Sequence, residues 1–194
     1  MNKKLNLIIF LVIVLAVFSR LFITIPNFSA IGALALFCGA IAYRNKLSIL
    51  IPFIALIFGD VLLALKNDRS YTEYFSNGHF IFIYVAYIGI WFIGSGFKNR
   101  LKFSNIIFAS VISSVAFFLF TNFGSWLQLP YAKTLGGLGQ SYLAGLVFYK
   151  GDLLSNFFLN QVVGDLFFTT LFFGCYFLIT REDFSKLRPI KVKN

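Results

Sequence analysis

The chain has 194 residues, of which 59% are hydrophobic and 12% charged, and carries a net charge of +10. Soluble domains hold about 25% charged and about 45–50% apolar residues, so one aqueous core cannot hide this excess and the surplus must face lipid. The basic residues sit between apolar runs rather than in one patch, so they report orientation in a bilayer and not nucleic-acid binding.

The first apolar run follows Met1-Asn2-Lys3-Lys4. It resembles a signal peptide at its start, but it lacks well-placed small residues for cleavage and further spans follow, so it reads as an uncleaved first helix. A membrane helix needs roughly 20 apolar residues, within a range of about 17–25. On that measure the spans fall at about 5–25, 30–43, 47–65, 80–97, 103–121 and 153–180. The expected fold is an all-α polytopic membrane bundle of about six transmembrane helices forming one integral membrane domain over 1–194. The second run is short and contains Gly32 and Gly39; it is expected to tilt or to stop short of a full crossing. Ala35 and Gly39 on it form a small-xxx-small pair suited to close helix packing. The sixth run is long and should protrude. The segment 122–152 is rich in glycine, polar and aromatic residues, and a short extra helix is expected within it near 140–149.

Lys and Arg distribute by loop. Lys3, Lys4, Arg44, Lys46, Lys98, Arg100, Lys102, Arg181, Lys186, Arg188, Lys191 and Lys193 fall on one side; Arg20, Lys66, Arg69, Lys133 and Lys150 fall on the other. The alternation runs through every connection. By the positive-inside rule both termini are cytoplasmic, in a bacterial inner membrane, with 66–79 and 122–152 external.

Ionisable groups inside a span cost about 2.5–3.5 kcal/mol each on insertion scales, which makes them functional candidates. Arg20, Asp60 and Asp165 all fall about five residues inside the outer boundary of their helices. Asn122, Trp126 and Gln128 join them from the fifth helix, Asn156, Asn160 and Gln161 from the sixth, and Asn27 and Tyr131 from the connections. Two readings remain open: a polar cavity facing outward, or a structural clamp in which Arg20 pairs with Asp60 or Asp165. Cys38 and Cys175 lie in apolar runs and read as buried thiols, and His79 as an interface residue; neither points to a metal. No cofactor motif is present: there is no zinc-binding His-Glu-x-x-His, no phosphate loop and no nucleophile elbow.

Residues 20–40 read RLFITIPNFSAIGALALFCGA. With FGDVLLAL at 58–65, TNFGSWL at 121–127 and NQVVGDLFFTTLFFG at 160–174, this resembles a family of small uncharacterised bacterial integral membrane proteins across nearly the whole chain. More distantly, it is similar to the substrate-binding components of energy-coupling-factor vitamin transporters. That resemblance implies six helices, a pocket near the outer face and partnership with separate ATPase and coupling subunits. The usual docking signal for those subunits, Ala-x-x-x-Ala, is absent from the first helix, where Ala16 stands alone.

The leading expectation is therefore a protein that binds or transports a small solute. Arg20 would attract an anionic group, Asp60 and Asp165 would balance it or hold a cationic one, and Trp126 and Tyr131 would stack on an apolar body. Asn27, Asn122, Gln128 and Gln161 would complete the site, and 122–152 would be its lid. A structural or assembly role without a ligand is the alternative. An intramembrane aspartyl hydrolase is a third: two Gly-Asp pairs exist, but Ile57 and Val162 stand where that chemistry uses a Gly-x-Gly-Asp form.

Overall fold

A computed structural model describes residues 3–22, 25–66, 80–99, 101–146 and 156–180. The expected external stretch with His79, the segment 147–155 and the basic C-terminal tail lie outside the described residues. Within them the chain is all α-helical: α1 (Lys3–Phe22), α2 (Ile31–Ile41), a 3-10 turn (Lys46–Leu50) continuing into α3 (Ile51–Lys66), α4 (Phe80–Gly96), α5 (Phe103–Gln128), α6 (Leu135–Leu146) and α7 (Phe157–Thr180).

Apolar side chains cover the outside as well as the core. On α1 the buried positions Ile8, Val12, Ala16 and Ser19 recur at helical spacing, while Leu7, Phe10, Leu15, Phe18 and Phe22 are exposed. Ile54 and Phe58 on α3, Phe92 on α4, Phe108 on α5 and Phe167 on α7 are exposed in the same way. Monomeric soluble proteins do not present contiguous apolar faces of this extent, whereas lipid requires them. Segments 46–66, 103–128 and 157–180 are long and apolar enough to cross a bilayer, and shorter apolar helices lie at 6–22, 31–41 and 80–96. The molecule is a polytopic membrane helix bundle with one short extra helix, α6.

The bundle is built around α2. Every residue from Ile31 to Ala40 is buried, and α4, α7, α3, α5 and α1 all pack on it. Its 11 residues rise only about 16 Å, roughly half the hydrocarbon core. Small residues permit the crowding. A side chain at Gly39 would meet the Trp91 carbonyl, and one at Gly94 would meet the Leu36 carbonyl, so α2 and α4 approach backbone to backbone. Below this crossing Phe37 sits edge-on to Phe172, Phe173 and Tyr176, sealing α2 against α7 with an aromatic layer.

Helix ends explain where the expected bounds shift. The fifth span was expected to close at 121, but α5 continues to Gln128. Thr121, Asn122 and Ser125 each hydrogen-bond back to a carbonyl four residues earlier, which satisfies their polar groups without leaving the helix. The helix stops at Leu129, driven to extended geometry (φ −87°, ψ 166°) before Pro130, as the residue preceding proline should be. The extra helix starts at 135 rather than near 140, because the Thr134 hydroxyl accepts from the Gly137 amide at 3.2 Å and caps it. The last helix starts at Phe157 rather than 153: Asn156 Oδ1 accepts from the Leu159 amide at 2.7 Å, and Asn156 Nδ2 donates to the Leu146 carbonyl at 2.7 Å. Asn156 is thus a cap that ties α6 to α7.

The connections that follow α2 and α4 meet at one end of the bundle through Tyr43 and Lys98. There the Lys98 ammonium lies 4.6 Å from the centre of the Tyr43 ring, and Trp91 Nε1 donates to Ser48 Oγ at 3.1 Å. The C-terminal ends of α1 and α3 meet at the opposite end, where Lys66 Nζ donates to the Leu21 carbonyl at 3.0 Å.

Candidate functional site

The candidate site starts from a turn. Phe28 N–H bonds to the Ile25 carbonyl at 3.2 Å, with Pro26 and Asn27 between them and Asn27 at φ +59°. This is a type II turn, for which proline presets the first central residue and asparagine tolerates the left-handed second one. The turn leads into the N-terminus of α2, which is buried from Ala30 onward.

That N-terminus is buried, and the residue before the helix, Ala30, offers no side-chain cap for its amides. Three other groups supply the acceptors. Ser19 Oγ on α1 accepts from the Ala30 amide at 3.2 Å, and Ser29 Oγ accepts from the Ile31 amide at 3.2 Å. The Asp165 carboxylate, reaching across from α7, accepts from the Ala33 amide. Asp165 is 3% exposed and also accepts from Ser114 Oγ at 2.8 Å and Gln161 Nε2 at 3.5 Å. A negative charge at a helix N-terminus is stabilised by the aligned peptide dipoles. Gly32 makes the approach feasible, since a side chain there would overlap the carboxylate.

Arg20 makes a different connection. Its guanidinium forms an ion pair with Asp60 on α3, and Gly59 leaves room for its side chain, with Arg20 Cδ 2.9 Å from where a Cβ would stand. Of the two partners open to Arg20 in the sequence, the fold uses Asp60. Asp60 and Asp165 therefore have separate partner sets, unlike a dyad of carboxylates sharing one proton.

Between these two networks lies a cavity of about 550 Å³. Arg20, Lys66, Asn27, Ser29, Gln161 and Asp165 give it polar walls; Phe28, Leu56, Ile83, Tyr87 and Phe117 give it apolar ones. A second cavity of about 290 Å³ adjoins it, sharing Asn27 and Gln161, and is lined further by Thr121, Asn122, Ser125, Tyr131 and Ser141.

The nine residues expected to form the solute site thus divide. Arg20, Asn27, Gln161 and Asp165 line the larger cavity; Asn27, Asn122, Tyr131 and Gln161 line the smaller one. Asp60 stands behind Arg20. Trp126 and Gln128 line neither cavity. Trp126 Nε1 donates to the Ala132 carbonyl at 2.8 Å and its ring lies 5.8 Å from Lys133 Nζ, so it fastens the α5–α6 turn instead of presenting a face to a solute. Gln128 is the last, exposed residue of α5. The described part of 122–152, the expected lid, consists of the end of α5, a six-residue turn and α6, and Tyr131, Ser141, Ala144 and Gly145 from it line the smaller cavity.

Several lining or supporting residues carried no signal of their own. Ser114 looks like one of many helix serines, although Ser110 and Ser114 at helical spacing, with Thr169 3.3 Å from Ser110, mark a polar stripe along α5. Lys66 reads as a loop residue from its position after the third span, yet it ends α3 at the cavity rim. Among the described residues no group of three His, Cys, Asp or Glu side chains could hold a metal.

No curated protein and no solved structure matches this chain. Residues 1–187 match the model of a family of unknown function (DUF6580), and the chain belongs to that family.

Proposed function

We propose that this protein binds a small solute in the larger cavity and acts in its uptake or transport across a bacterial inner membrane. The observation that carries the reading is the cavity itself: about 550 Å³, within the range of about 300–1,000 Å³ typical of ligand sites, mostly apolar with a few convergent polar groups. A purely structural clamp would need only the Arg20–Asp60 pair and a filled interior. The irregular backbone at Pro26–Ser29 and the half-length α2 also fit a solute site, because non-helical backbone at membrane depth persists where protein or a water-filled cavity satisfies it.

In the proposed orientation both termini are cytoplasmic, the connections 42–46 and 97–102 face the cytoplasm, and the cavity opens outward. An outward pocket is also what the resemblance to substrate-binding components of vitamin transporters implies, and an ATPase-driven partner is one energy source consistent with it; the missing Ala-x-x-x-Ala argues for a different docking surface.

The test is a thermal-shift panel of amino acids, nucleosides and vitamins on the purified chain. A ligand that binds only the folded state adds RT ln(1 + [L]/Kd), about 2.7 kcal/mol at a hundredfold excess over Kd. At least one solute should stabilise the wild type. Asp165→Asn, which keeps an acceptor for the Ala33 amide, should fold and lose most of that stabilisation. Asp165→Ala, which strips the cap from α2, should lower stability by about 1–2 kcal/mol even without solute. If the whole panel leaves the wild type unmoved, the binding reading fails and the cavity is a packing feature.

A further inference from the structure

The cavity wall carries charges of both signs, and this says what kind of solute fits. The positive groups, Arg20 and Lys66, come from α1 and α3, which pack on each other; the negative group, Asp165, comes from α7, which packs on α5, α2, α1 and α6. Both signs of charge therefore line one cavity, the positive groups from α1 and α3 and the negative group from α7. Arg20 is already balanced by Asp60. Lys66, among the described residues, bonds to a neutral backbone carbonyl. Asp165 accepts from Ser114, Gln161 and the Ala33 amide, which leaves acceptor capacity on a carboxylate with about four lone-pair sites.

On the solute-binding reading above, we infer that the ligand is a zwitterion, with its anionic group toward Lys66 and Arg20 and its ammonium on Asp165. A solute carrying only negative charge meets Asp165 at close range in a poorly solvated site. A solute carrying only positive charge meets Lys66 and Arg20. Each would bury one unpaired like charge, which is costly where water is scarce. A zwitterion satisfies both walls and leaves the four charged groups, two of each sign, as balanced as they are without it. The walls between the charges are apolar and partly aromatic (Leu56, Ile83, Phe28, Phe117), so the body joining the two charges should be apolar. The chemistry specified is that of an α-amino acid with a hydrophobic side chain, or a compound presenting the same charge pair.

A matched set of three probes isolates the claim: phenylalanine, N-acetylphenylalanine, which keeps only the carboxylate, and phenylalanine amide, which keeps only the ammonium. Affinity is read by isothermal titration or thermal shift on the full chain in detergent or nanodiscs. Phenylalanine should bind at least about tenfold more tightly than either blocked form, a difference of about 1.4 kcal/mol. Lys66→Met, at an exposed helix end, should fold normally and erase the advantage of phenylalanine over phenylalanine amide. Asp165→Asn should erase its advantage over N-acetylphenylalanine. Equal affinity for all three probes, or preference for a blocked form, overturns the zwitterion and leaves the cavity a binding site for another class. Stabilisation by other panel solutes with none from these three also overturns it. No binding by anything overturns the solute-binding reading itself.

Discussion

Arg20 and Asp60 show how one residue can answer two questions that the sequence leaves joined. A charge within a span needs a partner whether it serves a ligand or a fold, so the residue types alone cannot separate a clamp from a site. The fold separates them by placement: Asp60, 8% exposed, stands behind Arg20 away from the cavity, and Arg20, 20% exposed, stands between Asp60 and the cavity. Breaking a buried pair by removing one partner costs about 3–5 kcal/mol, because the other charge is left uncompensated; discounted for the partial exposure of Arg20, about 2 kcal/mol is expected for Arg20→Ala. The double change Arg20→Ala/Asp60→Asn leaves no orphan charge and should unfold at higher denaturant than the single Arg20→Ala. A double variant less stable than the single one by the full cost of Asp60→Asn would mean that the two residues act independently. The depth of Arg20, Asp60 and Asp165 could be counted from the sequence because membrane helices have a fixed rise per residue. Which of them touch could not, because that depends on helix rotation and neighbour order.

At the scale of elements, apolar runs and breakers mark the helices well, and polar residues near helix ends mark them badly. Asn122 and Ser125 lie past the expected end of the span but bond back into α5, while Asn156 looks like a site residue but caps α7. In each case one side chain has two hydrogen-bonding options of similar strength, and tertiary position chooses between them. The role of Asp165 was hidden for a related reason: it caps a helix it does not belong to, and no local spacing encodes that. Gly39 was legible as a packing residue, and the fold gives it a partner, the Trp91 carbonyl on α4. Gly39→Leu must push α2 from α4 along the most crowded contact of the bundle. Overpacking of this kind costs about 1–3 kcal/mol, and more where backbone rather than side chain is in the way. Gly89→Leu, on the same α4 but with open space around it, is the control. Thermal unfolding in detergent should show a large loss for Gly39→Leu and little change for Gly89→Leu; equal small losses would mean that the α2–α4 contact yields readily.

For the whole molecule, the basic residues and the helix pairing bear on orientation independently. The sequence assigns Arg44, Lys46, Lys98 and Lys102 to one side by alternation alone. The fold brings them to one end through contacts that owe nothing to alternation: Lys98 over Tyr43, and Trp91 on Ser48. Lys66 meets Leu21 at the other end, and α5 carries the chain from Lys102 to Gln128 along about 39 Å of helix. The two ends are thus distinct, and the richer concentration of Lys and Arg should face the cytoplasm. Single cysteines introduced at Lys46 and at Leu135, both exposed, report the two ends in a Cys38→Ala/Cys175→Ala background. A membrane-impermeant maleimide added to intact cells should label Leu135→Cys and spare Lys46→Cys, and both should label once the membrane is opened. Labelling of Lys46→Cys alone in intact cells would invert the orientation and turn the cavity toward the cytoplasm. The same chamber would then present its charge pair to an internal solute, and export would replace capture as the function to test.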